Sequence, residues 1–215
     1  MFSNKYIFVY STVLVVVAAA ILAIAAVGLK PYQDANVRIE TKQQLLSCVG
    51  IDSTPKNAET LYAKYFTEEL YVNAKGEIVT AGEDSKPVYV CNKDGEKIYV
   101  VPVQGKGLWG AIWGNVALAE DLTTITGVNF DHKSETPGLG AEITTKPFQQ
   151  EFNGKRIFDG SKFTSVKVDK RMGKDNPHAV DAISGGTITS RGVSAMLHDC
   201  LEFYVPYFNN LKAKH

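Results

Sequence analysis

The stretch DAISGGTITSRGVSAMLHDCLEFY, residues 181–204, joins a glycine-marked loop to an amphipathic helical pattern. From Thr187 to about Tyr204, apolar residues recur at three- and four-residue steps, and Pro206 marks the expected end of this helix. A serine and two glycines precede the helix, so unpaired backbone N–H groups and the positive helix end lie together. The stretch therefore predicts either an anion site or an ordinary N-cap, in which Thr187 or Thr189 caps its own helix.

Two further glycine-marked loops lie upstream of this stretch. Residues 105–110, GKGLWG, follow a predicted strand and place the cation of Lys106 beside an apolar pair. A planar aromatic ligand with an anionic tail would suit this loop, and the alternative is a tight turn whose tryptophan is buried. Residues 135–140, ETPGLG, predict a rigid turn with an exposed acid. No G-x-x-x-x-G-K sequence is present, which argues against a Walker A loop. GKGLWG has the G-x-G-x-x-G spacing, but a strand is predicted after it instead of the helix that a dinucleotide fingerprint requires.

The middle of the chain has the alternating pattern of β-strands. Glycine-closed turns at Asn73–Gly76 and Asn92–Gly95 predict two hairpins. The predicted strands are 70–72, 77–80, 88–91, 97–103, 112–119, 125–131, 163–168 and 179–183. The strand at 112–119 has a partly helical alternative. The predicted helices besides the last one are 36–49, 54–66 (opened by Thr54-Pro55) and 148–152. These elements predict an α+β domain with a mostly antiparallel, curved sheet and flanking helices.

An uncharged and mostly apolar run of 24 residues, Tyr6–Leu29, lies between Lys5 and Lys30. As a helix it reaches about 36 Å, enough to cross a hydrocarbon core of about 30 Å. A cleaved signal peptide is the competing interpretation, but its apolar part is typically only about 7–15 residues long. We therefore expect a retained single-pass anchor, whose orientation the flanking charges leave open. The predicted organisation is a tail at 1–5, a transmembrane helix at 6–29, a helical connector at 30–69 and the domain at 70–215.

The amino-acid composition argues against several classes of protein. Hydrophobic residues make up 45% of the chain and charged residues 21%, which excludes a disordered protein. The 23 basic residues balance 23 acidic ones, and this neutrality argues against a nucleic-acid partner. Histidines and cysteines show no metal-ligand spacing, so no metal is expected, and one disulfide or three free thiols both remain open. Ser184 lacks a G-x-S-x-G context, which argues against a serine hydrolase.

The three loops, in this order behind a single membrane helix, resemble the covalent FMN-binding domain family. That family occurs in sodium-translocating NADH:quinone reductases and in the flavin-carrying G component of Rnf electron-transport complexes. Rnf-type chains usually have a Gly-Tyr-Gly core in the first loop, where this chain has Leu108 and Trp109. The resemblance is therefore greater to the quinone-reductase branch.

The resemblance implies a cofactor and its site. The family's last loop has the pattern D-x-x-[ST]-G-A-T, and its threonine carries FMN through a phosphoester bond. That threonine corresponds to Thr187, the upstream acid read by a flavin transferase corresponds to Asp181, and Gly186 stands where alanine is usual. The other residues implied to contact FMN are Lys106, Gly107, Leu108, Trp109, Glu135, Thr136, Gly138, Leu139, Ser184, Gly185, Gly186, Ile188 and Thr189.

The resemblance also implies a place in a larger assembly. The chain would be an electron-carrying subunit of a bacterial inner-membrane complex, with its domain on the extracytoplasmic side. Implied partners are other integral-membrane, flavin and iron–sulfur subunits, the flavin transferase and membrane lipid. One flavin cannot by itself oxidise NADH, pump sodium or reduce quinone, so no catalytic residue is assigned. The alternatives are an Rnf-type subunit and, in a different class, an anchored module that binds a phosphorylated ligand.

Overall fold

The structure is a computed structural model that describes residues 3–173 and 175–213. The chain divides into two compact units, and the boundary in sequence falls between Thr41 and Lys42. The first unit consists of most of helix α1 (Asn4–Cys48), whose last turns belong to the second unit. Within the described residues, α1 is the one helix long and apolar enough to cross a membrane. Its most apolar window has a mean hydropathy of 2.8 and is exposed, as a lipid-facing segment requires.

Helix α1 is longer than the sequence pattern predicts. The helix predicted at 36–49 is present as far as Cys48, but the predicted junction at Pro31 is wrong, because α1 continues through this proline without interruption. A proline inside a helix removes one N–H donor and crowds the carbonyl of the preceding turn, so its effect on the helix is local. The flanking residues are mostly good helix formers, so the helix continues across the proline.

The second unit is built on an antiparallel sheet, which confirms the α+β prediction. After the last turns of α1, this unit continues with α2 (Ala58–Tyr65) and a sheet of six strands in the order β2-β1-β3-β4-β5-β6. These strands are β1 (Phe66–Val72), β2 (Ile78–Val79), β3 (Lys86–Lys93), β4 (Glu96–Lys106), β5 (Ala111–Leu118) and β6 (Ile125–His132). The segment with a helical alternative is β5, a strand throughout.

The remaining elements connect the sheet to a long C-terminal helix. They are a 3₁₀ helix (Gly140–Thr144), α3 (Lys146–Gln150), β7 (Phe158–Asp159), β8 (Lys162–Phe163), β9 (Lys167–Asp169), β10 (Ala179–Asp181) and α4 (Thr187–Lys212). Strands β7 and β8 pair antiparallel, whereas β9 and β10 pair parallel. Helix α2 begins later than the Thr54-Pro55 signal suggests, with Asn57 at its N-cap position.

The two faces of the sheet are covered by different helices. Helix α4 packs on β4, and its buried side chains, including Val193 and Leu197, join one large core. On the opposite face, the end of α1 meets β6, where the Cys48 Sγ lies 3.6 Å from the Gly127 carbonyl oxygen. Cys48, Cys91 and Cys200 are all buried free thiols. Burial raises the pKa of Cys91 to about 11, which keeps that sulfur protonated near neutral pH.

Helix α4 does not end before Pro206, contrary to the sequence pattern. It continues to Lys212 because Tyr207 and Phe208 are buried in the core, which compensates for the hydrogen bond that the proline removes. The Asn210 Nδ2 also donates to the carbonyl oxygen of Gly76, at 3.2 Å. Gly76 packs so closely on the backbone at Pro206 that any Cβ there would overlap it.

The strand predicted at 163–168 is also wrong, because β8 and β9 are separated at Ser165. Ser165 has a φ of +59°, a left-handed conformation that ends strand pairing. Its side chain is buried, and its hydroxyl oxygen has no hydrogen-bond partner among the residues that the structure describes. A buried hydroxyl without a partner and a non-glycine left-handed residue both cost stability.

We expect Ser165→Gly to raise the unfolding free energy by about 1 kcal/mol, because it removes both the unpaired hydroxyl and the left-handed strain. For a chain of this size, that corresponds to a melting temperature about 2–4 °C higher. The measurement is thermal unfolding of the full chain in detergent. Ser165→Ala separates the hydroxyl effect, and Ser161→Ala at an exposed neighbour is the control. A lower melting temperature for both Ser165 variants would contradict this explanation.

Candidate functional site

The three glycine-marked loops, far apart in sequence, meet at one cleft of about 210 Å³. The cleft lies at the N-terminus of α4, beyond the end of β4. Its lining residues are Leu108, Trp109, Glu135, Thr136, Leu139, Gly140, Gly185, Gly186, Thr187, Ile188 and Thr189. The fold therefore brings together residues from all three loops that the sequence singles out.

The start of α4 leaves backbone donors available at the cleft. The N-cap residue is Gly186, which has no side chain to cap the helix, and Thr187 is the first helical residue. The first amide that bonds back is that of Ser190, which donates to the Gly186 carbonyl oxygen at 2.9 Å. The preceding amides have no acceptor inside the helix, and the helix dipole adds positive potential there. This geometry favours an anion, and it excludes the interpretation in which Thr187 or Thr189 is the N-cap.

Close packing fixes the loop before α4. Gly185 has a φ of +74°, and a Cβ on it would lie 2.5 Å from the Leu139 Cδ2. A Cβ at Gly186, the position where the resembling family has alanine, would lie 2.9 Å from the Ile183 Cγ2. Gly185 therefore lets the second and third loops approach each other, and Gly186 makes room for Ile183 within the third loop.

The first loop is a tight turn, in which the Gly107 amide donates to the Gly110 carbonyl oxygen at 2.8 Å. Its tryptophan is not buried in the core, as one interpretation of the sequence suggested. Trp109 is 67% exposed, and Leu108 beside it is exposed as well. Together with Leu139 and Ile188, these side chains form an exposed apolar rim around the cleft.

The acid of the second loop is buried, which corrects the expectation of an exposed acid. Glu135 is 4% exposed, and its carboxylate accepts hydrogen bonds from the Trp109 amide at 2.8 Å and the Thr189 hydroxyl at 2.6 Å. Burial alone would raise the pKa of this carboxyl. The hydrogen bonds from Thr189, Trp109 and Gly110, with the nearby His132, outweigh burial and hold the pKa below its usual value.

Some residues implied by the resemblance lie outside the cleft lining. They are Lys106, Gly107, Gly138, Ser184 and Asp181. Lys106 is exposed at the end of β4. The Asp181 carboxylate accepts a hydrogen bond from the Gly173 amide at 2.8 Å, and its own amide donates to Glu151.

Two glycines important for the site were missed in the sequence. Gly140 lines the cleft and ends the ETPGLG motif, so the motif itself was the available signal. Gly192 lies in α4, where a Cβ would overlap the Lys106 carbonyl oxygen. It allows α4 to approach the first loop, and only the packing of the helix reveals this role.

The part of the chain that contains the three loops matches a known protein family, and the whole chain has curated relatives. The FMN-binding domain family matches residues 107–202, a range that includes nearly all of the three loops. The chain is 32% identical to the C subunit of the Na(+)-translocating NADH-quinone reductase of Neisseria meningitidis serogroup A, over 99% of this chain and 95% of that protein. It is 30% identical to the corresponding C subunit of Vibrio vulnificus, over 82% of each chain.

Solved structures of C subunits are also similar to this chain. The crystal structure of the C subunit from Parabacteroides distasonis has a TM-score of 0.79 and 39% identity, covering 84% of this chain and 96% of that one. The structure of Shewanella oneidensis NqrC has a TM-score of 0.69 and 27% identity, covering 81% of this chain and 97% of that one. The chain therefore belongs to the NqrC family, the C subunits of the sodium-translocating NADH:quinone reductase, an oxidoreductase complex, with an FMN-binding domain behind one apolar N-terminal helix.

Proposed function

We propose that this chain carries one FMN through a phosphoester bond to Thr187 and relays electrons within a sodium-translocating NADH:quinone reductase of the inner membrane. The observation that carries the proposal is the position of Thr187, the first residue of α4, on a cleft formed by all three motif loops. A phosphate on this hydroxyl would lie at the helix N-terminus, where free amides and the helix dipole favour it.

The residues present fit an FMN phosphate. Backbone amides of the first turn of α4 supply donors, and Gly185 and Gly186 allow the close packing against Leu139 and Ile183 that holds this turn at the cleft. Bound FMN supplies one- and two-electron redox chemistry. In this proposal, Ser184, Thr136 and the first-turn amides bind the phosphate end, while Lys106 adds positive charge at the exposed edge.

The apolar rim fits the aromatic part of the cofactor. Leu108, Trp109, Leu139 and Ile188 are exposed around the cleft, with Gly107 and Gly138 in the turns that hold them. The cleft of about 210 Å³ is smaller than the roughly 300–1,000 Å³ typical of pockets that enclose a ligand. We infer that these residues hold the ring at the surface, where a redox group on a neighbouring protein of the complex can approach it.

The proposal includes the chain's organisation and partners. The boundaries at 5, 29 and 69 divide it into tail, transmembrane helix, connector and FMN-binding domain, with the domain on the extracytoplasmic side. Lipid surrounds the apolar part of α1, and other integral-membrane, flavin and iron–sulfur subunits complete the electron path. Asp181 is exposed next to the acceptor loop, and we propose that the flavin transferase recognises it during maturation.

We expect Thr187→Ala to abolish covalent flavin, because it removes the hydroxyl that forms the phosphoester. The full chain, co-expressed with a flavin transferase, should give a fluorescent band on a denaturing gel and an intact mass increased by one FMN less water. Thr187→Ala should lose both signals, whereas Thr187→Ser, which keeps a hydroxyl, should retain part of them.

Matched controls come from the other hydroxyls at the loops. Ser184→Ala and Thr136→Ala remove hydroxyls that the proposal assigns to phosphate binding but not to the ester bond, so each variant should keep a covalent flavin. Flavin that persists on Thr187→Ala would disprove Thr187 as the acceptor. An unmodified wild-type mass together with saturable FMN binding would instead favour the non-covalent binding module.

The proposed topology predicts a labelling pattern for two introduced cysteines. Ala74→Cys lies in the exposed β1–β2 turn, and Ser3→Cys lies before α1. The native thiols are buried, so they give little background with a membrane-impermeant maleimide. Ala74→Cys should react in intact spheroplasts and Ser3→Cys only after permeabilisation. The reverse pattern would place the domain in the cytoplasm.

A further inference from the structure

Glu135 differs from the other acids of this protein in its burial. Among residues 3–173 and 175–213, Glu135 is the one aspartate or glutamate that is buried. A buried carboxylate is costly unless hydrogen bonds and nearby positive charge compensate for the lost water. The partners of Glu135 therefore indicate why the fold keeps an acid at this position.

Those partners belong to the other two loops. The Trp109 amide donates to the Glu135 Oε1 at 2.8 Å from the first loop, 26 residues away in sequence. The Thr189 hydroxyl donates to the Oε2 at 2.6 Å from the first turn of α4, 54 residues away. One carboxylate thus joins all three loops, and each of its oxygens accepts from a different one.

Two motif glycines make room for this carboxylate. A Cβ at Gly107 would lie 2.5 Å from the Oε1, and a Cβ at Gly140 would overlap both the Oε2 and the Thr189 hydroxyl. Any side chain at either position would displace the carboxylate from its donors. Gly107 of GKGLWG and Gly140 of ETPGLG are therefore required by the packing around the Glu135 carboxylate, whether or not a cofactor is bound.

The electrostatic surroundings also favour a charged carboxylate. Thr189 is the third residue of α4, so the carboxylate lies at the positive end of the helix. His132, at the end of β6, accepts a hydrogen bond from the Glu135 amide at 3.2 Å. The hydrogen bonds from Thr189, Trp109 and Gly110 outweigh burial and hold the carboxyl pKa below its usual value. The group therefore remains ionised at neutral pH and accepts charge-assisted hydrogen bonds.

We propose that Glu135 is a positioning residue that holds the Trp109 loop against the first turn of α4 before any cofactor is attached. Thr187 is thereby presented at a cleft that already exists when the flavin transferase acts. This inference rests on the proposed role of Thr187 as the acceptor. Glu135 acts through Trp109 and Thr189, since both of its oxygens are turned toward protein donors.

We call Glu135, with its hydrogen bonds to Trp109 and Thr189, the clamp. Native-state hydrogen exchange tests it on the full chain produced without a flavin transferase. Glu135→Gln removes the negative charge, so the hydrogen bonds to Trp109 and Thr189 both lose their charge assistance. We expect exchange to become about tenfold faster in both 105–113 and 187–196, the ratio that corresponds to about 1.4 kcal/mol. Glu202→Gln, which neutralises an exposed acid on α4, is the control and should change neither segment.

A double-mutant cycle separates the clamp from general destabilisation. Thr189→Val removes the hydroxyl partner of the carboxylate, so exchange in the double variant should be slower than the product of the two single effects predicts. The initial rate of flavin attachment should fall by a similar factor of about ten in each single variant. Rates that multiply in the double variant would show that the two residues act independently and would overturn the clamp.

The pH profile gives a readout that a purely steric role would not change. Because the folded pKa lies below the unfolded value of about 4.3, the contribution of the carboxylate is present above that value. It is lost as the pH falls through the folded pKa. The melting-temperature difference between wild type and Glu135→Gln should therefore be constant near neutral pH and shrink below about pH 4. A difference that does not change with pH would overturn the clamp.

The two proposals fail in distinguishable ways. Faster exchange in only one of the two segments would overturn the clamp, whatever the flavin content. If Thr187→Ala keeps its flavin while Glu135→Gln loosens both segments, the proposed acceptor is wrong and the clamp stands.

Discussion

The structure of the site depends on the close approach of α4 to the end of β4. Gly192 lies against the Lys106 carbonyl oxygen, and Gly105 of the strand lies against Met196 of the helix. Side chains at these two glycines would push the helix away from the sheet, because the neighbouring atoms include backbone and the root of a side chain. Since α4 is also buried along its length by the main core, its N-terminus has little freedom to move.

This fixed helix end organises the chemistry of the cleft. The N-cap position is a glycine, so the backbone donors of the first turn are not used by a capping side chain and remain available to an anion. One acid, Glu135, already uses the positive potential of the same turn through the Thr189 hydroxyl. The arrangement separates two tasks: a buried carboxylate that joins the loops, and an open edge at Thr187 where we propose that the phosphate is attached.

The elements that the sequence predicted well are those with local causes. Alternation and glycine-closed turns indicated the strands from β1 to β6, although β1 begins at Phe66 rather than Leu70. The elements that were wrong depend on distant contacts. Helix α4 passes Pro206 because Tyr207 and Phe208 are buried, and the strand around Ser165 breaks at a left-handed residue that packing holds in place.

By itself, the sequence determined the apolar N-terminal helix, the α+β class and the three motif loops, because composition, periodicity and motif spacing are properties of nearby residues. It also indicated Thr187 through family resemblance. Only the tertiary structure decided that these loops form one cleft, that Trp109 is exposed and that Glu135 is buried. Those properties follow from contacts between residues 26 and 54 positions apart, and no local pattern encodes the distance between them.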